Sequence, residues 1–469
     1  MFDHKPIQSV LCAIWQFRVH EWIEFSSHSR CVAFFLFGAE EMLARTLEKA
    51  TLVDNIIYKL RLFPERFRKN SSARFSFHDN CRLNGTMAHI DVSLILPYLL
   101  HDIWVELLLA LVITFAAALG VVANQGALTR IMRERGDVMA VQSSHTGNPL
   151  RLGGIAIFAG LVAGIVVGIW YDSMVPVLLL VSAVPALLAG LWEDLGYGAS
   201  AGRRLAAAFA SAALAIVLLG AWVSRANLPI LENIMMVAPL GILLTTIISA
   251  GFCHATNLID GMNGLAAVFV TSAAAALALL AHDAGQSDLA LAAAILGATM
   301  VGFFLLNWPF GTIFLGDAGS YGVGHVLIWI AILLADRALA ITVPALVLIL
   351  FWPFADTMHT IARRLVSRAS VFEPDRMHLH QKMRRFIEIV LLGGAHRKRS
   401  NPMATLALAP MVVAPIIAGV MLADDAPTAW VALCVFAVLF SVTHVAITQL
   451  AIRQRRKPRY PVTPKHPLR

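Results

Sequence analysis

The sequence predicts an all-α integral membrane protein of about eleven transmembrane helices, with its reactive polar residues gathered in cytoplasmic loops. Three observations predict it. The chain is 58% hydrophobic and 14% charged over 469 residues, whereas soluble domains are about half apolar and about a quarter charged. Its mean hydropathy is +0.72. Its basic residues fall mainly into one of the two alternating sets of loops between apolar windows, which fixes an orientation.

Residues 1–86 stand apart. They carry twelve Lys and Arg, and their apolar run, Cys31 to Phe37, is far below the ~20 residues a span needs. They lack the order of a signal peptide, in which a basic start precedes an apolar stretch of about 7–15 residues and a small-residue cleavage site. Met87 opens the stretch that leads into the first span. Met87 is therefore the expected natural start, and the extension the expected product of a mis-assigned one; a small amphipathic or disordered region is the alternative. Residues 87–450 form the membrane domain and 451–469 a basic cytoplasmic tail.

Apolar windows lie at about 103–123, 152–170, 174–191, 204–224, 236–253, 264–281, 289–305, 318–335, 338–355, 404–422 and 428–450. The weakest is 318–335, which begins with Gly319, Gly322 and Gly324. Small residues such as those of Thr271–Ala278 let helices pack closely in lipid. One set of loops holds Arg130, Arg133, Arg135, Arg151, Arg203, Arg204, Arg363, Arg364, Arg368 and Arg376, with Arg453, Arg455 and Arg456 in the tail. The other holds little beyond Arg225 and Arg337, against Asp172, Asp283, Asp288, Asp336, Asp424 and Asp425. The first set is cytoplasmic by the positive-inside rule. The N-terminus of the first span then lies outside, which a basic extension resists. This distribution also accounts for the net charge of +8 without nucleic acid. The five cysteines show no metal spacing and no disulfide framework.

The residues that carry chemistry all fall on the cytoplasmic side. His145 precedes Arg151 and the Gly153-Gly154 pair at the start of the second window. A helix start rich in glycine and positive charge suits an anion; a merely basic loop is the plain alternative. Glu193-Asp194 ends the third window, where carboxylates bind a divalent cation or orient a phosphate, or simply face Arg203 and Arg204 as a solvated helix end. The run Asn257-Leu258-Ile259-Asp260-Gly261-Met262-Asn263-Gly264-Leu265 puts Asn257 and Asp260 three apart, on one face of a continuing helix. An Asx-rich turn is the alternative. Phe314-Leu315-Gly316-Asp317-Ala318-Gly319-Ser320 repeats the theme, with Asn307 upstream; Asp317 can also cap the next helix. A charged residue flanked by glycines at a membrane edge is expensive, and the glycines allow backbone to approach a ligand. The long loop from Asp356 to Met403 carries Arg376, His378 and His380. No third ligand with zinc spacing accompanies the two histidines, so they read better, with Arg376, as donors to phosphates. Asp356 and His359 lie at the same edge as supporting residues.

These blocks resemble, in order and over about residues 124–385, those of the polyprenyl-phosphate N-acetylhexosamine-1-phosphate transferases. The resemblance implies transfer of a sugar phosphate from a UDP-sugar to undecaprenyl phosphate, with release of UMP, at the cytoplasmic face of a bacterial inner membrane. It implies Mg²⁺, with Mn²⁺ as a substitute. Asp317 would be the first metal ligand, Asp194 would lie near the lipid phosphate, and Asp260 and Asn257 would order the nucleotide or the metal shell. His145, Arg151, Asn263, Arg376, His378 and His380 would contact substrate, and Phe314 would stack on uracil. The chain departs from the pattern in three places. Glu193 replaces the usual Asp, Asn263 costs a charge at a variable position, and Gln142-Ser143-Ser144 replaces a lysine-rich segment. Three alternatives stay open: the muramoyl-pentapeptide branch, which typically shows three consecutive histidines; a transporter, which would place its polar residues near mid-bilayer; and an inactive relative. The sugar, the envelope pathway and homodimer formation stay open too.

Overall fold

The computed structural model describes residues 103–133, 150–168, 173–368, 377–392 and 397–455. The expectations for residues 1–86, His145 and Arg376 lie outside the described residues. The described residues are helical throughout, joined by short turns, with one isolated parallel bridge between Leu150 and Ile313. In chain order the helices are α1 (Trp104–Ala123), α2 (Gln125–Arg133), α3 (Gly153–Gly168), α4 (Val175–Asp194), α5 (Ala201–Leu219), α6 (Pro229–Met235), α7 (Ala238–Ile259) and α8 (Leu265–Asp283). They continue with α9 (Ser287–Asn307), α10 (Gly316–Arg337), α11 (Val343–Ile349), α12 (Phe351–Val366), α13 (Leu379–Phe386), α14 (Arg397–Met421) and α15 (Ala426–Arg455). A π-helical turn, Ile387–Leu391, extends α13.

Nine of the described helices are long and apolar enough to cross a membrane, and a bent pair, α11 with α12, would make ten. In the window at 152–170 the described residues form α3. One window differs from the sequence expectation. The window at 338–355 breaks at Leu350, where α11 and α12 meet at 84°. Pro353 accounts for the break: it has no N–H to donate to the carbonyl of Ile349, and its ring collides with that carbonyl in a continuous helix.

Helix α10 is the axis of the bundle. Every residue from Gly316 to Ala335 is buried, and α3, α4, α5, α7, α8 and α9 all pack on it. Its modest hydropathy fits a helix that faces protein rather than lipid. Its small residues are contact points: a Cβ on Gly319 would meet Gly154, one on Gly322 would meet Phe158, and one on Gly324 would meet Thr256. Polar pairs pin it sideways, Ser182 Oγ to His325 Nε2 at 2.9 Å and Trp329 Nε1 to Ser249 Oγ at 2.9 Å. At its C-terminal end the Arg225 guanidinium donates to the carbonyls of Ala335, Ala338, Leu339 and Ile341, a cation where the helix dipole is negative. By contrast α1 and α15 expose Val105, Leu108, Val435, Val438 and Val442, the outer faces of the bundle.

Candidate active site

The N-terminus of α10 gathers the site. Its first backbone N–H groups have no partner inside the helix, and two carboxylates from other helices supply them. Asp260, just past the end of α7, accepts from Leu315 N at 3.2 Å and Gly316 N at 3.0 Å. Asp194, the last residue of α4, accepts from Asp317 N at 2.9 Å and Ala318 N at 2.8 Å. Asp194, Asp260 and Asp317 thus meet at one point, although 66 and 57 residues separate them in turn (194 to 260, 260 to 317). Burial pushes the Asp260 carboxyl up to about 7, against the Arg151 charge and the two N–H groups that hold it down.

Asp317 itself is the ion-paired acid. Its side chain is 1% exposed, and it accepts from Arg151 Nη2 at 2.6 Å and is paired with Arg204 Nη1. Arg151 Nε also lies 3.9 Å from Asp194 Oδ1. The two arginine side chains are partly exposed, Arg151 to 37% and Arg204 to 20%. The centre therefore combines three acids with two cations that can turn toward an anion.

The glycines of this region serve packing. The entry of α3 lies along the entry of α10, with Phe314 N donating to Leu150 O at 3.0 Å, Gly153 N to Phe314 O at 2.8 Å and Gly154 N to Leu315 O at 2.9 Å. The sequence suggested that these helix starts would cradle a phosphate with backbone N–H groups. In the structure those groups are already bonded, so anion contacts fall to Arg151 and Arg204. Gly316 adopts φ 74°, and a Cβ there would collide with the Arg151 carbonyl and the Asp194 carboxylate. Gly316→Ala is expected to destabilise the protein by at least about 1–3 kcal/mol and to lower turnover by displacing Asp194. Melting in detergent alongside turnover checks this; wild-type values for both would contradict it.

The other expected residues sort as follows. Asn257 faces α10: its amide oxygen lies 2.9 Å from Ser320 Oγ, and its Nδ2 donates to Tyr321 Oη at 3.3 Å. Tyr321 in turn lies 3.4 Å from His254 Nδ1. Asn263 is a latch between elements. Its N–H donates to Asn401 Oδ1 at 2.9 Å, its Nδ2 to Pro309 O at 2.8 Å, and its carbonyl accepts from Thr405 Oγ1 at 2.6 Å. The Phe314 side chain is 2% exposed, so in this conformation its ring offers no free face to uracil. Glu193 turns away, accepting from Ala199 N at 2.5 Å, and Asn307 Oδ1 accepts from Gly264 N at 2.5 Å.

His378 and His380 stand together, with stacked rings 5.5 Å apart. Asp356 holds them: His378 Nδ1 lies 2.9 Å and His380 Nδ1 3.7 Å from its Oδ2, while its Oδ1 accepts from Leu379 N at 3.3 Å. His380 Nε2 faces Gly261, which places the histidine segment against the turn that presents Asp260. Burial pushes His380 down to about 4, with His378 and Arg384 acting in the same sense and Asp356 opposing. At neutral pH it offers a neutral N–H. Arg204 and Tyr321 were not among the expected site residues, and Asp356 had only a supporting place. Arg204 sits one turn inside α5, after the Ser200 cap, and turns inward to Asp317.

A multi-pass helical bundle thus gathers acids and arginines at one end. Residues 176–335, from α4 through α10, match the model for glycosyl transferase family 4. Over those residues the chain is similar to this family. It is 28% identical over 239 residues to a probable undecaprenyl-phosphate N-acetylglucosaminyl 1-phosphate transferase of Bacillus subtilis, covering 50% of this chain and 66% of that one. It is 28% identical over 348 residues to the decaprenyl-phosphate N-acetylglucosaminephosphotransferase of Mycobacterium leprae, covering 67% and 83%. It is 28% identical over 193 residues to the undecaprenyl-phosphate alpha-N-acetylglucosaminyl 1-phosphate transferase of Escherichia coli, covering 39% and 50%. The chain thus spans from half to about five sixths of the length of these relatives. The matched segment contains Asp194, Arg204, Asn257, Asp260 and Asp317; Arg151 and the two histidines lie outside it.

Proposed function

We propose that this protein transfers a phospho-N-acetylhexosamine from a UDP-sugar to undecaprenyl phosphate at the cytoplasmic face of a bacterial inner membrane. An oxygen of the lipid phosphate attacks the sugar-bearing phosphorus of the diphosphate. The bond from that phosphorus to the bridging oxygen breaks, and UMP leaves. The observation that carries this reading is the meeting of Asp194, Asp260 and Asp317 with Arg151 and Arg204 at the end of a membrane bundle. A lipid phosphate can reach that end without leaving the bilayer edge, while a soluble nucleotide approaches from water. Phosphoryl transfer between two anions needs positioning and charge neutralisation more than covalent help.

Mg²⁺ is part of this proposal. Among the described residues no three acidic, His or Cys side chains form a ready metal cage. Mg²⁺ commonly takes one or two carboxylates and fills its shell with water and phosphate oxygens, and the hard oxygen donors here fit that habit. Asp317 would hold it, with the Asn257 amide oxygen alongside. When bound, the ion would neutralise the diphosphate. Arg151 and Arg204, released from Asp317, would then turn their exposed edges to the phosphates. Asp194 and Asp260 would keep the start of α10, and so Asp317, in place.

The direct test is UMP release from a panel of UDP-sugars with undecaprenyl phosphate and Mg²⁺. Release that needs both substrates supports the reading, and no release from any UDP-sugar would overturn it. His378→Ala and His380→Ala are expected to raise KM for the UDP-sugar about tenfold, near one lost hydrogen bond to a charged group, with lipid KM unchanged. An effect confined to the lipid substrate would assign the histidine segment to the acceptor instead.

A further inference from the structure

Beyond the family match, which ends at residue 335, a second polar cluster joins three elements. His444 and Thr448 lie one turn apart on α15, His359 lies on α12, and Lys382 lies on α13. His444 Nε2 is 3.0 Å from the carbonyl oxygen of Met377, the residue before His378. A carbonyl only accepts, so that ring nitrogen carries the proton, and the neutral ring offers its Nδ1 as an acceptor. Two groups meet that lone pair: Lys382 Nζ at 3.3 Å and His359 Nε2 at 3.1 Å. Lys382 Nζ also donates to Thr448 Oγ1 at 2.8 Å. The rings of His359 and His444 are 4.0 Å apart, and His444 is 4% exposed.

The placement is selective. Helix α15 otherwise shows lipid an apolar face, with Val435, Val438, Val442 and Val445 exposed. A histidine in such a span is costly unless it is used. Its contacts bracket the histidine segment on both sides, Met377 before His378 and Lys382 just after His380. Helix α12 grips the same segment, through Asp356 and through Thr360 Oγ1 at 3.4 Å from His378 Nδ1. Asp356, His359 and Thr360 are spaced to share one face of α12. The segment that presents His378 and His380 is thus held jointly by α12 and the last helix.

We propose that His444, with Thr448, is a positioning residue. It ties the last helix to Met377 and Lys382 and so fixes the reach of His378 and His380 toward the nucleotide sugar. This rests on the reading of those histidines as UDP-sugar contacts. A positioning role differs from a packing role in what it changes. Losing the tether loosens a substrate-binding segment while the bundle stays intact.

The test pairs hydrogen exchange with kinetics on the full-length protein in detergent. In His444→Ala and in Thr448→Val, amides of 379–386 are expected to exchange about five- to tenfold faster, near the worth of one hydrogen bond, with the rest of α15 unchanged. KM for the UDP-sugar rises by a similar factor, while kcat and lipid KM stay within about twofold. His444→Gln keeps an N–H and an acceptor and restores most of both, and Val442→Ala, on the lipid face, changes neither. Unchanged exchange at 379–386 would overturn the tether, as would faster exchange along all of α15. Unchanged KM in an active enzyme would overturn the positioning role. Wild-type protein that releases no UMP would remove the functional reading and this role with it, and the exchange result would still decide whether the tether exists.

Discussion

Asp317→Asn is expected to lower transfer by about 10²–10³-fold or more and to leave the bundle folded. The substitution keeps the shape of the side chain and removes the charge at the centre of the site. In the wild type that charge is 1% exposed and faces Arg151 and Arg204. Removing one member of a buried pair usually strands the other at a high cost. Here the stranded partners are the arginines, whose side chains are 37% and 20% exposed, and water takes up the lost contact. The desolvation cost of the acid disappears as well. The backbone N–H of Asp317 still meets Asp194, so the helix start is kept. Turnover, melting temperature and Mn²⁺ binding followed by electron paramagnetic resonance make the check. Near-normal turnover at low millimolar Mg²⁺ would remove Asp317 from the metal and from the centre of the mechanism.

The motif blocks were legible because each places a carboxylate, amide or imidazole where an apolar window ends, and such residues are costly there. Asp194, Asp260, Asp317 and Asn257 stood out on that ground, and the structure brings them to one helix start. Arg204 did not stand out. The positive-inside rule already explains a basic residue on that side, so no signal remained to mark one that turns inward to Asp317. Asp356 was hidden for a related reason: an acid at a span end looks solvated until the loop that folds over it is placed. The low hydropathy of 318–335 reads as weakness along the chain, whereas in the fold it marks the central helix. The capping roles of Asp194 and Asp260 were invisible in sequence. They join residues more than fifty positions apart, and local spacing carries no trace of that pairing. The break at Leu350 was the readable feature that window hydropathy missed, since Pro353 announces it.

Asp260→Ala is expected to fail differently from Asp317→Asn, losing folded protein as well as activity. It strands the N–H groups of Leu315 and Gly316 at a buried helix start, each worth about 1–3 kcal/mol when left without a partner. Asp260→Asn keeps one accepting oxygen and should lose about half as much. The pH dependence separates the charge of Asp260 from its shape. Burial raises its pKa to about 7 from the ordinary 3.8, so between those values the folded state binds a proton that the unfolded state has lost. Stability from this group is then full below about pH 4 and falls as pH rises through about 7. Asn has no such titration. The stability gap between wild type and Asp260→Asn should therefore narrow from pH 5 to pH 7.5 in detergent melting curves. A gap that widens with pH would mean that the Leu315 and Gly316 N–H groups and Arg151 outweigh burial, holding Asp260 as a permanent anion.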